Sequence, residues 1–284
     1  MIDALHLLSP RINKKFSDIA LENGRPTRGY ERCVDLREQE PKLPARLYFN
    51  GRHTPVHKLE LIGVARLGLP LTQQIVETVF PDLKRVTIYR IDCCVDLLGK
   101  NVWHFAESCH IPRVQNYRLF RNRGAVSIYL QASKNRTVVF YDKGRERQAK
   151  KSPMAAILMP GDSLTRFEMR FQGSGVPVRD FLRIEAYAEM DFVANIRFAR
   201  LRVPSNKSTP MELLKAEGVR ALVRRYGQQM AFKSFPPAEA AYLKKKFLKP
   251  SDGAEAVELN RRIRKSVADW MAGRIRYPRF ARKS

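Results

Sequence analysis

The chain has 284 residues, 44% of them hydrophobic, which suits a globular protein with a sizeable core and excludes a disordered one. Lys and Arg number 53 against 28 Asp and Glu, and a net charge of +25 calls for a polyanionic partner, above all nucleic acid. No apolar run reaches the roughly 18 residues of a membrane-spanning helix and no signal peptide is recognisable, so the expectation is a cytoplasmic protein with no membrane partner.

RLYFNG from Arg46 and VHKLELIG from Val56 alternate as strands. Leu71 to Phe80 carries Ile75, Val76, Val79 and Phe80 on one helical stripe. IYRIDCCVDL, Ile88 to Leu97, reads as a third strand, and Asn101 to His110 as a second helix. AVSIYLQ from Ala125, RTVVFYDKG from Arg136 and LTRFEMRFQ from Leu164 complete six strands. Each is only half apolar, the pattern of an antiparallel sheet with one covered face. The predicted fold is α+β: a central antiparallel sheet with helices on one face, over residues 1–204.

Beyond Gly175 the pattern turns helical. Helices are expected from Pro177 to about Met190, from Ser208-Thr209-Pro210 to Gly227, from near Pro236, and through DGAEAVELNRRIRKSVADWMAG to near Gly273. Residues 205–284 hold 19 Lys and Arg against 7 Asp and Glu, so a basic helical C-terminal extension is predicted, with the tail RIRYPRFARKS. The cysteines Cys33, Cys93, Cys94 and Cys109 form no CxxC pair, which argues against zinc and against a disulfide framework.

The third strand raises a chemical question. Alternation puts Arg90, Asp92 and Asp96 on one face and Ile91, Cys93, Val95 and Leu97 on the other. By the same rule Lys58 joins Glu60, Tyr141 joins Lys143, and Arg166, Glu168 and Arg170 share a face. If these strands are neighbours, their polar faces form one site. Glu60, Asp92 and Glu168, with Asp96 as a further candidate, would then repel one another, a conflict that Mg²⁺ or Mn²⁺ resolves. A metal beside a tyrosine and a lysine in a basic protein points to phosphoryl transfer at DNA, with Tyr141 attacking phosphorus and Lys143 assisting. The plainer reading has solvent-facing carboxylates, local RxD and RxE ion pairs, and tyrosines used for packing. Tyr129 and Tyr187 rival Tyr141, whereas Tyr89 falls on the apolar face of its strand.

Taken in order, MIDALHLLSPRI, KLELIG, YRIDCCVDL, RTVVFYDKGRE and LTRFEMRF resemble the replication initiators of filamentous phages, the gene-two or phage X family. The likeness covers roughly residues 1–190 in pieces, and RIDxxxD, YDK and RFE patterns occur also in plasmid rolling-circle initiators. The resemblance implies a site-specific DNA-nicking and rejoining endonuclease in the bacterial host cytoplasm. It would initiate rolling-circle replication of phage or plasmid DNA by holding the 5′ phosphate on tyrosine while the freed 3′ hydroxyl primes synthesis. Carried over, Tyr141 is the nucleophile and Glu60, Asp92 and Glu168 hold Mg²⁺ or Mn²⁺. Lys143 is an assisting base or phosphate contact, Arg90 and Arg166 position the DNA phosphate or the carboxylates, and Arg170 and Lys58 meet DNA. The implied partners are the replication origin as duplex and displaced single strand, and the host helicase and polymerase. Two alternatives stay open: a basic DNA- or RNA-binding protein that does not cut, and a metal-dependent hydrolytic nuclease.

Overall fold

A computed structural model describes residues 1–54, 56–111, 114, 116–122, 125–149, 163–202, 208–251 and 253–274. The elements in chain order are β1 (Ile2–Ser9), α1 (Lys14–Asn23), β2 (Arg25–Thr27), β3 (Tyr30–Asp35), β4 (Ala45–Gly51), β5 (His57–Leu61), α2 (Gly68–Val79) and β6 (Thr87–Leu98). There follow α3 (Val102–Ser108), β7 (Cys109–His110), β8 (Asn116–Asn122), β9 (Ala125–Ser133), β10 (Arg136–Asp142), α4 (Lys143–Ala149) and β11 (Leu164–Gln172). The last are β12 (Arg197–Leu201), α5 (Pro210–Lys233), α6 (Pro237–Phe247), β13 (Leu248–Pro250) and α7 (Ala254–Met271). The chain is thus mixed α and β, with a large antiparallel sheet, and all six strands expected from alternation are present. Two compact units divide it: Met1–Cys94 with Met169–Met190 and Ile263–Ser284, and Val95–Glu168 with Asp191–Arg262.

In the first unit the strands run β2-β3-β4-β5-β1-β6. Directly paired residues build rows across it. Val34, Leu47, Leu59, Leu7 and Ile88 form one such row, and all five are buried. Burying each such side chain is worth about 1.5–3 kcal/mol, so this row pins the register. The adjacent row is polar: Asp35, Arg46, Glu60, His6 and Arg90. Helix α1, capped by the Asn13 side chain on Lys15 N, buries Phe16 and Ala20 and packs against β3 and β4. The helix expected from Pro177 is instead a 3₁₀ turn over Phe181–Ala188, begun by Asp180 accepting from Leu182 N at 3.0 Å. The backbone before it is already engaged, because Ile88 N donates to Arg179 O and Phe181 N to Val86 O. An extended segment held in that way cannot wind into a helix.

In the second unit the order is β11-β10-β9-β8, and β13-β12-β7 form a small separate sheet. Phe105 of α3 stacks on Phe140 of β10 with centroids 4.6 Å apart, and Phe140 meets Phe167 of β11 edge-on at 5.1 Å. Helix α3 stops two residues before the expected His110, since Cys109 and His110 pair with Phe198 and Arg197 of β12. Helix α5 opens as expected: Thr209 and Glu212 form a capping box ahead of Pro210. It does not end at Gly227. That residue, at φ 76° and ψ 160°, breaks the helix, which then resumes to Lys233. The break is sustained because Tyr117 Oη donates to Tyr226 O at 3.0 Å, while Gln228 Nε2 donates to Glu107 O and Ala199 O.

A Cβ at Gly227 would lie 2.7 Å from Tyr117 Oη and 3.0 Å from Ala106 O. Gly227→Ala should therefore lower unfolding stability by roughly 1–3 kcal/mol from backbone strain alone. Urea denaturation of the two proteins measures it.

Candidate functional site

Within the first unit, β1 lies between β5 and β6, so Glu60, His6 and Arg90 stand in one row on the polar face. Asp92, 2% exposed, is gripped by its strand neighbour: Arg90 Nε donates to Oδ1 at 2.9 Å and Nη2 to Oδ2 at 2.5 Å. Arg170 Nε adds a second guanidinium 3.7 Å from Oδ2. Fork-to-fork pairing of this kind is the strong form of a charged hydrogen bond. A register shift between His6 and Leu7 makes a bulge at Tyr89 and takes that residue out of the alternation. Tyr89 is accordingly half-buried, not in the core. Its hydroxyl accepts from Gln172 Nε2 at 3.3 Å and lies in electrostatic range of Tyr30.

Glu60 faces Lys58 Nζ at 3.6 Å and His6 Nε2 at 3.7 Å. Burial would raise its carboxyl, but these neighbours, a hydrogen bond from Tyr48 and the charge of Arg46 together hold it below the usual range. Burial, foremost, drives the His6 imidazole down to about 4, so it is neutral at pH 7, and Lys58 is the charge that Glu60 meets there. Lys58 Nζ also sits 3.7 Å from the Tyr48 ring centroid. Burial, with Glu60 next, pushes the Tyr48 phenol up to about 12.

His6 gives a pH prediction with a definite sign. Its folded value lies below the 6.5 of an unstructured histidine, so between about 4 and 6.5 the unfolded chain binds the extra proton. Acidification through that window should destabilise the fold, and His6→Gln should flatten the dependence in denaturation series taken across it.

In the second unit the far end of β6 carries Asp96. Arg166 of β11 donates Nε to Asp96 Oδ1 at 2.6 Å and Nη2 to Oδ2 at 3.0 Å, with both side chains 5% exposed. Glu168, two residues further along β11, is 2% exposed. Tyr141 stands at the end of β10, paired with Ser127 of β9. Asp142 ends the strand and its Oδ1 accepts from Arg145 N at 2.9 Å, a capping contact that starts α4. Lys143, the first residue of α4, points Nζ to within 3.4 Å of Tyr141 Oη and 2.5 Å of Glu146 Oε2.

The rival tyrosines are placed differently. Tyr187 is fully buried, its hydroxyl donating to Val178 O at 3.0 Å, and burial pushes its phenol well above the usual range. Tyr129 packs edge-on against Phe120 at 5.4 Å between centroids. Three residues were not legible as site members: His6, Tyr48 and Glu146. His6 was findable by alternation within MIDALHLL, and Glu146 by its three-residue spacing from Lys143.

Among the described residues, no group of three or more His, Cys, Asp or Glu is placed to hold a metal ion. The donor set explains why. Asp92 and Asp96 each give both oxygens to a guanidinium, so the positive charge a divalent cation would bring is already supplied by the chain. Among the described residues Asp92 and Asp96 thus serve as counter-ions to arginines. No family model matches this chain, and no curated protein sequence matches it significantly. No helix among the described residues is long and apolar enough to cross a membrane.

Proposed function

We propose that the chain is a DNA strand-nicking and rejoining enzyme that uses Tyr141 as nucleophile, of the kind that starts rolling-circle replication on a fold like that of the rolling-circle initiators. The observation that carries this reading is the strand-to-helix junction of the second unit, which sets the Tyr141 hydroxyl beside the Lys143 ammonium in a chain of net charge +25. A contact of 3.4 Å is long for a hydrogen bond, as catalytic contacts commonly are before substrate arrives. In the reaction Tyr141 Oη bonds to phosphorus and the P–O3′ bond breaks. The phenol proton leaves to solvent, and the departing O3′ takes one up. The balance needs no oxidant, reductant or co-reactant.

Incubating the protein with a randomised pool of end-labelled single-stranded DNA, with Mg²⁺, with Mn²⁺ or with EDTA, tests this without knowledge of an origin sequence. The expected result is nicked DNA with a covalent adduct mapped to Tyr141. Cleavage without an adduct would favour a hydrolytic nuclease and reject the proposal. Comparison of the three buffers reads the cation requirement directly.

A second reading has an observation of its own. Guanidinium-capped carboxylates at Asp92 and Asp96 suit a protein that grips DNA or RNA without cutting it. It predicts binding with neither nicks nor adduct under all three conditions. Under either reading, nucleic-acid affinity arises largely from counterion release. Helices α6 and α7 contribute Lys244, Lys245, Lys246, Arg261 and Arg262, and the tail adds Arg276, Arg279, Arg282 and Lys283, although residues 275–284 lie outside the described residues. Deleting Arg274 to Ser284 should flatten the plot of log K against log salt, by roughly 0.9 for each phosphate that the tail neutralises.

A further inference from the structure

We infer that Glu146 is a positioning residue for Tyr141: its carboxylate holds the Lys143 ammonium against the phenol oxygen, so that Lys143 acts as a fixed positive charge at the nucleophile and not as its base. The inference rests on the reading of Tyr141 as nucleophile. It adds a residue to that site and assigns Lys143 a role.

Lys143 Nζ meets two acceptors, Glu146 Oε2 at 2.5 Å and Tyr141 Oη at 3.4 Å. A lysine side chain carries about 2 kcal/mol of rotamer entropy and does not stay beside a phenol without a tether. Glu146 supplies the tether, because residues three apart on a helix are neighbours. The side chains of Lys143 and Glu146 are 14% and 28% exposed, so solvent competes little for the amine. The parts are mounted on firm elements. Tyr141 belongs to a paired strand, and α4 is started by the Asp142 side chain one residue later. Small placement errors at a reacting atom are costly, and rigid mounting of this kind limits them.

The chemistry follows from the donor inventory. An ammonium has three N–H donors and no lone pair, so it cannot take the phenol proton. It can donate to Tyr141 Oη, which favours the phenolate that attacks phosphorus. On rejoining, the same donor stabilises the departing phenolate. Removing the Glu146 carboxylate has two opposed effects on Tyr141. Losing a negative charge eases ionisation of the phenol, while releasing Lys143 hinders it. The inference requires the second to prevail, because Lys143 makes a direct contact to Oη.

The test uses the full chain without DNA. Tyrosine labelled with ¹³C at Cζ is followed by NMR through an alkaline titration, and Tyr141→Phe identifies the Tyr141 resonance. In Lys143→Met and Glu146→Gln, Tyr141 should ionise at a pH higher than in the parent by about one unit. Glu146→Asp should restore most of the parent behaviour. Glu146→Ala, which also removes the carboxylate, must shift in the same direction as Glu146→Gln. Ionisation at an unchanged or lower pH in Glu146→Gln and Glu146→Ala overturns the inference. The adduct experiment is separate. An adduct at Tyr141 with no titration shift overturns the role of Glu146 alone, whereas a shift without any adduct rejects nicking and leaves the positioning intact.

Discussion

Tyr141→Phe should abolish both strand cleavage and the covalent DNA adduct, with a loss of several orders of magnitude in rate, while nucleic-acid affinity stays within about twofold of the parent. The change keeps the ring and its packing beside Lys143 and removes only the atom that would attack phosphorus. Tyr141 is half-buried, its Oη accepts from Lys143, and the ring is kept, so the variant should lose no more than about 1 kcal/mol of stability. Tyr187→Phe is the informative control. It deletes the donor to Val178 O in a buried setting, so it should cost about 1 kcal/mol of stability and leave cleavage by the folded fraction unchanged. Tyr129→Phe and Tyr89→Phe should change neither. The readouts are peptide mapping of the adduct, a gel assay for nicks, and binding at fixed salt. An adduct recovered on Tyr129 or Tyr187 would keep the reaction class and move the nucleophile. No adduct on any tyrosine would reject the class.

Asp96→Ala should destabilise the fold by about 3–5 kcal/mol, the usual cost of removing one partner of a buried ion pair. Arg166 is 4% exposed, and both oxygens of Asp96 accept from it. Without the carboxylate that guanidinium loses its bidentate partner in a place water hardly reaches. The sign of the effect distinguishes two accounts of the acidic residues. Carboxylates gathered to await a cation repel one another in its absence, so deleting one stabilises the metal-free protein. A carboxylate that serves as counter-ion to an arginine does the opposite. Denaturant melts in EDTA therefore decide the role of Asp96, and Asp92→Ala puts the same question to the Arg90 and Arg170 pair. A gain in stability for either variant would return that residue to the candidate metal ligands.

The period-two pattern was enough to find β4, β5, β6, β9, β10 and β11, because each strand has one face against a core and the alternation is written into its residues. The Thr209-Pro210 start of α5 and the stripe of α2 were legible for the same kind of reason: their determinants lie within a few residues of one another. Tyr141 and Lys143 do lie together, but not by the strand alternation expected of YDK: β10 ends at Asp142 and Lys143 opens α4. Three things were not legible. The bulge that moves Tyr89 depends on how β1 registers against β6. The break of α5 at Gly227 depends on a hydroxyl from Tyr117, which donates to Tyr226 O, 109 residues further along the chain. Alternation also showed that Arg90, Asp92, Asp96, Arg166 and Arg170 lie on polar faces, and the RxD spacing offered the pair of Arg90 with Asp92, but not that Asp96 meets Arg166, from a strand 70 residues distant. A local pattern fixes the direction in which a side chain leaves its strand. The partner it meets there is set by strand order and register, which are decided by the burial of the whole apolar row and not by the charged residues themselves.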